Sequence, residues 1–159
     1  MYYGTIKKYD IANGPGVRVS LFVSGCRNHC PGCFNKETWD FNYGMPYTKK
    51  TEEEILKSLA PDYIEGFSLL GGEPFEPENQ EVLWQLLECI KKQYPKKTVW
   101  CYTGYQYDQD FVEGGKIYTA YTEKMLENID TLVDGQFIES QKDITLQFRG
   151  SKNQKIIEL

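Results

Sequence analysis

Strand-like and helix-like segments alternate along this chain, and this alternation limits its fold more than any other feature. Runs rich in β-branched, aromatic and leucine residues predict strands at residues 17–23, 67–70, 98–102 and 131–133. Helices are predicted at residues 51–59 with a capping box at 51–54, from Pro77 to just before Pro95, and after a Thr122 cap. Strands separated by helices form right-handed βαβ units, so we expect an α/β fold with a parallel sheet and flanking helices.

The length of the chain argues against the closed form of such a sheet. Its 159 residues are enough for one domain with a real core, which we place at residues 1–159. A closed eight-stranded (β/α) barrel usually needs about 250 residues. We therefore expect an open partial (β/α) barrel, in which ligands bind beyond the carboxyl ends of the strands.

Charge and hydropathy narrow the range of partners. The chain carries 18 Lys and Arg against 23 Asp and Glu, a net charge of −5, and has no basic block. Nucleic acid is therefore not an expected partner. No run approaches the ~18 apolar residues of a membrane helix, and the N-terminus lacks the apolar run of a secretory signal. We expect a soluble, cytoplasmic protein with no membrane partner.

Three of the five cysteines lie within eight residues, directly after the first predicted strand. An odd number of cysteines without an export signal argues against a disulfide framework. Thiolates suit iron–sulfur clusters, and Cys26, Cys30 and Cys33 would leave one iron of a four-iron cluster free to bind a substrate. The alternative is a structural zinc site that takes a fourth ligand from His29, Cys89 or Cys101. Otherwise His29 is expected to be a solvent-facing spacer.

The other predicted strands end in glycine-containing turns. Gly71-Gly72 follows the second strand, Thr103-Gly104 the third and Asp134-Gly135 the fourth. The carboxyl ends of parallel strands share one edge of a sheet, so these turns should lie near the cysteines. Two adjacent glycines let a backbone approach a ligand closely, although an ordinary tight turn can have the same sequence.

Two of these motifs together resemble the radical S-adenosylmethionine (SAM) superfamily. The spacing Cys26-x3-Cys30-x2-Cys33 resembles its cysteine signature, and Gly71-Gly72-Glu73-Pro74 resembles its glycine-rich turn. The resemblance implies a partial barrel of the radical SAM type with a [4Fe–4S] cluster on the three cysteines. It also implies that the open iron binds the amino and carboxylate groups of SAM. The turn would hold the SAM ammonium, with Glu73 accepting a further hydrogen bond.

Position 32 departs from the pattern of this superfamily, in which an aromatic residue often precedes the last cysteine. Gly32 can still offer its carbonyl to the adenine amine, and Phe34 is the nearest ring for packing. Thr103, Asp134 and Asn153 are further candidates for ribose or carboxylate contacts, with turn caps as an equal alternative.

Several further segments carry a more specific resemblance. They are residues 14–18, 24–26, 32–35, 38–39, 100–105, 132–135 and 149–154. In these segments the chain resembles, within the superfamily, the family of proteins that activate anaerobic ribonucleoside-triphosphate reductase. This resemblance implies that an electron donor such as flavodoxin reduces the cluster and that SAM is cleaved to a 5′-deoxyadenosyl radical. The radical would then take hydrogen from a glycine of the large catalytic subunit of the reductase. Exposed tyrosines within 102–121 are one candidate contact for that subunit.

Three other functions stay open at this point. The chain could activate another glycyl-radical enzyme such as pyruvate formate-lyase, whose activating enzymes are usually longer. It could also be a radical SAM enzyme that acts on a small molecule, for instance in deazaguanine biosynthesis. The third alternative is a non-enzymatic interaction module that binds zinc.

Overall fold

The computed structural model describes residues 1–159. It contains seven strands, four α-helices and two 3₁₀ turns, the latter at Lys36–Trp39 and Glu139–Gln141. In chain order the strands and α-helices are β1 (Tyr2–Asp10), β2 (Val17–Val23), β3 (Met45–Pro46), α1 (Lys49–Leu59), β4 (Ile64–Gly71), α2 (Pro77–Gln93), β5 (Thr98–Tyr102), α3 (Tyr107–Asp110), α4 (Thr122–Leu126), β6 (Thr131–Asp134) and β7 (Lys155–Glu158).

The strands form one seven-stranded mixed sheet in the order β3-β1-β2-β4-β5-β6-β7. Its parallel centre consists of the four predicted strands, β2, β4, β5 and β6. The predicted parallel sheet is confirmed for this centre only, because β1, β3 and β7 pair antiparallel at the two sides. The charged, only partly buried β1 and the four-residue β7 give no clear strand signal in the sequence.

The second helix buries the face that its sequence predicts. Leu83, Leu86, Leu87 and Ile90 are fully buried in a 22-residue apolar cluster that also includes strand residues from one face of the sheet. The helix begins at Pro77, and its last residue, Gln93, comes shortly before Pro95 as predicted. None of the helices is both long and apolar enough to cross a bilayer.

The first helix begins earlier than predicted. Its N-cap is Thr48, and Thr51 is the third helical residue instead of the cap. The Thr48 N–H donates to the Thr51 hydroxyl (3.2 Å), and the Thr51 N–H donates to the Thr48 hydroxyl (3.4 Å). A second threonine therefore replaces the acidic residue of the usual capping box. The segment between β5 and α4, for which the sequence predicts no helix or strand, contains the single helical turn α3.

A fully buried arginine joins the centre of the sheet on the face opposite to the helices, which we call the inner face. Arg18 donates to the Ser68 hydroxyl (2.7 Å) and to the main-chain oxygens of Phe67 (2.9 Å), Thr98 (2.8 Å) and Pro15 (3.2 Å). It also donates to the Thr98 hydroxyl (3.0 Å), so all five guanidinium N–H groups have a partner. Burial lowers the pKa of Arg18 to about 10. One side chain thus fastens β2, β4, β5 and the turn before β2 together.

Replacing this arginine should destabilise the protein strongly. We expect Arg18→Met to lower the free energy of unfolding by about 3 kcal/mol or more, because several buried acceptors lose their donor at once. Denaturant unfolding followed by circular dichroism measures this. Lys92→Met, on the exposed side of α2, is the control and should change stability by less than about 0.5 kcal/mol. Equal unfolding midpoints for both variants would contradict the role given to Arg18.

Candidate functional site

A cleft of about 550 Å³ opens at the carboxyl edge of the parallel strands. Eight of the nine residues predicted as cluster or SAM contacts line it, and the exception is Pro74, which is buried outside the lining. The structure therefore brings the cysteine loop and the glycine turn together, as expected from the topology. The eight lining residues are Cys26, Cys30, Gly32, Cys33, Phe34, Gly71, Gly72 and Glu73.

Main-chain hydrogen bonds hold the cysteine loop against the glycine turn. The Gly72 N–H donates to Val23 (2.7 Å), and the Glu73 N–H donates to Gly25 (2.8 Å). Gly25 in turn donates to Thr38 (2.8 Å) in the first 3₁₀ turn. Gly71 needs its glycine, because it has a φ of +115° and an added Cβ would lie 2.5 Å from the Val23 nitrogen.

A buried asparagine fixes the same junction from behind. Asn79 is 1% exposed in the first turns of α2 and donates from its amide to the main-chain oxygens of Ser24 and Glu73, both at 3.0 Å. The sequence prediction missed this residue. It lies two residues after Pro77 at the start of a predicted helix, and nothing in the neighbouring sequence indicates that its side chain contacts the cysteine loop.

The cysteine sulfurs lie in surroundings of different polarity. Burial raises the pKa of the Cys26 thiol to about 12, Glu73 adds to the rise, and the backbone N–H groups of Asn28 and His29 oppose it. Burial also raises the pKa of Cys30, against the effect of the Phe137 N–H. The Asn35 N–H donates to the Cys33 sulfur at 3.4 Å.

This donor set fits an iron–sulfur cluster. Three thiols share one cleft, and a thiolate at Cys26 needs a positive charge that its surroundings do not supply. The adjacent Arg27 forms salt bridges with Glu76 and Glu78 and is therefore not available to the Cys26 sulfur. Cluster iron supplies that charge, and N–H groups near cluster sulfurs are a usual means of tuning such sites. No three His, Cys, Asp or Glu side chains are grouped to hold a single metal ion.

Glu73 is the most constrained residue of the cleft. It is 1% exposed, and its carboxylate accepts from the N–H groups of Phe75 (3.0 Å) and Gly104 (2.7 Å), the Thr103 hydroxyl (2.8 Å) and the Asn28 amide (3.2 Å). Burial raises the pKa of Glu73 to about 7, and the hydrogen bonds oppose this rise. The carboxylate therefore joins the ends of β4 and β5 to the cysteine loop. Its predicted hydrogen bond to SAM would have to share these acceptor oxygens.

Asn28 links this carboxylate to the C-terminal part of the chain. Its oxygen accepts from the Gln136 amide (2.9 Å), and the Gln136 main-chain oxygen accepts from the Asn153 amide (2.8 Å). The sequence prediction missed Asn28 and Gln136, since contacts between segments 108 residues apart leave no local pattern. Four polar residues, Glu73, Asn28, Gln136 and Asn153, thus form one hydrogen-bonded chain.

The other candidate contacts are engaged within the protein. Thr103 donates to Glu73, Asp134 accepts from the Tyr107 N–H (3.0 Å), and Asn153 donates to Gln136. Such internal hydrogen bonds are expected if the three residues cap turns instead of contacting a ligand. Only Thr103 lines the cleft, so it alone of the three is placed to reach a ligand there.

Gly32 and Phe34, which are predicted to contact the adenine of SAM, and the single histidine lie at the surface of the cysteine loop. Phe34 is 86% exposed at the cleft, so its ring is free to pack against a ligand. Gly32 has a φ of +75° and lies against the Glu139 carboxylate. His29 is exposed and stacks on Trp39 with ring centroids 4.4 Å apart. An exposed His29 agrees with the expectation of a spacer.

This geometry defines a class of protein: an α/β protein that binds an iron–sulfur cluster through cysteine thiolates at the carboxyl edge of a mixed sheet. Comparison with known families supports this assignment. Residues 12–157 match the family described as a 4Fe-4S single cluster domain. The chain is also similar to curated proteins over its whole length.

Three of these relatives carry the same name, anaerobic ribonucleoside-triphosphate reductase-activating protein. The one from Escherichia coli (strain K12) is 40% identical over 161 residues, covering 100% of this chain and 99% of its own. The one from Vibrio cholerae is 39% identical over 98% of this chain and 97% of its own. The one from Enterobacteria phage T4 is 35% identical over 98% and 93%. This chain therefore belongs to the anaerobic ribonucleoside-triphosphate reductase-activating protein family.

A methyl group at position 72 should disturb the cysteine loop. An added Cβ would lie 2.6 Å from the Gly25 oxygen and 2.8 Å from the Thr38 oxygen. We expect Gly72→Ala to cost about 1–3 kcal/mol of stability and to lower the iron and sulfide bound after anaerobic reconstitution. Gly114→Ala is the control: nothing lies within 4 Å of its new methyl group, and the strain at its φ of +80° should lower stability without lowering the bound iron. Full iron content in the Gly72→Ala protein would show that the contact is not required.

Proposed function

We propose that this protein cleaves SAM reductively at a [4Fe–4S] cluster and generates a glycyl radical on anaerobic ribonucleoside-triphosphate reductase. The observation that carries the proposal is the shared cleft of the three cysteines and the Gly71-Gly72-Glu73 turn. The family match and the full-length similarity to activating proteins support it. The protein is accordingly an enzyme, an oxidoreductase of the radical SAM type.

Each group of cleft residues has a separate role in this proposal. Cys26, Cys30 and Cys33 would hold the cluster, which when bound supplies the electron that breaks SAM into methionine and a 5′-deoxyadenosyl radical. The turn at residues 71–74 would hold the SAM ammonium, with Glu73 keeping the turn closed as well as accepting from the ligand. Gly32 and Phe34 would contact the adenine. The cleft volume of about 550 Å³ lies in the range of ligand sites.

The sheet supports an open barrel of the radical SAM type, formed by residues 1–159 as one domain. Its four parallel strands are followed at both sides by antiparallel strands that do not pair with each other, so the sheet has two free edges. An open side would admit a segment of another protein to the cleft. This suits a macromolecular substrate better than a small molecule, which a closed site would retain.

The reaction also needs an electron donor and a reducing environment. We infer a cytoplasmic protein that takes electrons from a low-potential donor such as flavodoxin and has no membrane or nucleic-acid partner. The five free cysteines agree with a reducing compartment. The large catalytic subunit of the reductase is the protein partner.

The choice of cluster ligands can be tested with single cysteine variants. Cys26→Ala, Cys30→Ala and Cys33→Ala should each lose the cluster and SAM cleavage, since each removes one thiolate of three. Cys89→Ala and Cys101→Ala are the matched controls and should keep the iron, the sulfide and the activity. Loss of the cluster in a folded Cys89 or Cys101 variant would overturn the ligand choice. Zinc without iron and sulfide in anaerobically prepared protein would favour the interaction module.

The choice of partner can be tested by electron paramagnetic resonance. Reconstituted protein, dithionite and SAM are mixed with the large subunit of anaerobic ribonucleoside-triphosphate reductase or with pyruvate formate-lyase. We expect a glycyl-radical doublet with the reductase alone. A doublet on the lyase alone would contradict the proposed function. Turnover of SAM to 5′-deoxyadenosine on a small-molecule substrate, with no radical on either protein, would favour the radical SAM enzyme that acts on a small molecule.

A further inference from the structure

The cleft contains an arginine that has no acidic partner. Arg149 lines the cleft and is partly buried, and its guanidinium donates one hydrogen bond, to the main-chain oxygen of Gln154 (2.7 Å). Its other N–H groups have no partner within the protein, whereas Arg18 and Arg27 engage theirs. A guanidinium presents a planar fork of donors that matches a carboxylate. The free donors of Arg149 therefore indicate a site for an anionic group of a ligand.

The loop that carries Arg149 is fixed by the side chain of Gln154. The amide oxygen of Gln154 accepts from the N–H groups of Gly150 (2.8 Å) and Ser151 (3.1 Å). Its amide nitrogen donates to the main-chain oxygen of Gly135 (2.9 Å), which attaches the loop to the turn that follows β6. The guanidinium thus starts from a fixed main-chain position, so a ligand that binds there has little ordering to do.

Backbone strain directly before Arg149 also indicates a loop shaped for binding. Phe148 has a φ of +56°, in the left-handed region that few residues other than glycine adopt. Its ring lies edge-on to that of Trp100 with ring centroids 5.3 Å apart, so the strained residue is packed against the sheet. Strain of this kind persists only where the surroundings fix it, and it is concentrated at functional sites.

The same loop adjoins the cysteine loop. An added Cβ at Gly150 would lie 3.1 Å from the Phe137 ring. The N–H of Phe137 in turn acts on the Cys30 thiol. Arg149 is therefore carried by a loop that packs beside the cysteines, on the wall of the cleft in which the cluster would bind.

The charges that line the cleft leave a carboxylate few alternatives to Arg149. Lys142 is the only other cation of the lining, and it is exposed, so its charge lies in solvent. The acidic residues of the lining, Glu73 and Asp143, already accept from other groups and form no salt bridge with Arg149. The methionine moiety of SAM carries a carboxylate next to the ammonium that the glycine turn would hold. This carboxylate needs a cation, and Arg149 is the partly buried one.

We propose that Arg149 binds the carboxylate of SAM and thereby selects SAM over analogues that lack this group. The inference rests on the proposed function, because it assigns a further residue to the SAM site of the same cleft. An acidic side chain of the reductase is a second source of a carboxylate. The two sources differ in which binding equilibrium depends on Arg149.

The test measures equilibrium binding of SAM and of its decarboxylated analogue to cluster-loaded protein without a reductant. Arg149→Gln removes the charge, and Arg149→Lys keeps the charge but loses the planar fork. Lys152→Gln is the matched control, because it removes one positive charge from the same segment outside the cleft lining. Bound iron and sulfide are determined for every variant, and binding of the reductase large subunit is measured in parallel.

We expect Arg149→Gln to weaken SAM binding about ten- to a hundredfold, which is the range for a hydrogen bond to a charged group. Binding of the decarboxylated analogue should change by less than about twofold, since that ligand offers Arg149 nothing to bind. Arg149→Lys should recover part of the lost SAM affinity, and Lys152→Gln should match the wild type with both ligands.

Unchanged SAM binding in Arg149→Gln would overturn the inference. So would equal losses for SAM and the decarboxylated analogue, because Arg149 would then only support the shape of the cleft. Weaker binding of the large subunit together with unchanged SAM binding would assign the carboxylate to the reductase and also overturn it. A wild-type protein that holds the cluster but binds no SAM would instead refute the proposed function, and the inference with it.

Discussion

The buried carboxylate of Glu73 is the interaction on which the candidate site depends. Its two oxygens receive four donors from three segments: the turn after β4, the end of β5 and the cysteine loop. Burial of a carboxylate is costly and raises its pKa, and the four hydrogen bonds to its two oxygens offset part of that cost. Glu73, which the sequence predicts to contact SAM, thus also holds the cleft in shape.

Two buried charges stabilise opposite parts of the sheet. Arg18 joins β2, β4 and β5 on the inner face, and Glu73 joins the ends of β4 and β5 to the cysteine loop. Neither forms an ion pair with an opposite charge, and both rely on neutral hydrogen-bond partners. Such groups fix a unique geometry, because any displacement leaves several buried polar atoms unpaired. Arg18 therefore holds the amino-terminal parts of these strands together, and Glu73 holds their carboxyl ends, where the cysteine loop lies.

The central strands and the cleft could be predicted from the sequence because their signals are local. The β-branched run at residues 17–23, the helical spacing from Leu83 to Ile90 and the double glycine each act over a few residues. The antiparallel strands could not be predicted, because β1 and β7 depend on partners across the sheet more than on their own composition. The capping residue was misplaced by three positions, since Thr48 and Thr51 both have the chemistry of a cap. Asn28, Gln136 and Asn79 were missed because contacts with distant segments of the chain decide their roles.

The arrangement of the cleft also explains how a small protein can act on a large one. A cluster and SAM would lie beside the cysteines, and the sheet, which has two free edges, would leave the cleft open to a segment of another protein. The hydrogen-bonded chain from Glu73 through Asn28 to Gln136 and Asn153 connects the cysteine loop to the C-terminal segment. That segment also supplies Ile144 and Phe148 to the same cleft. The C-terminal segment therefore contributes both to the hydrogen-bonded network that holds the cysteine loop and to the lining of the cleft.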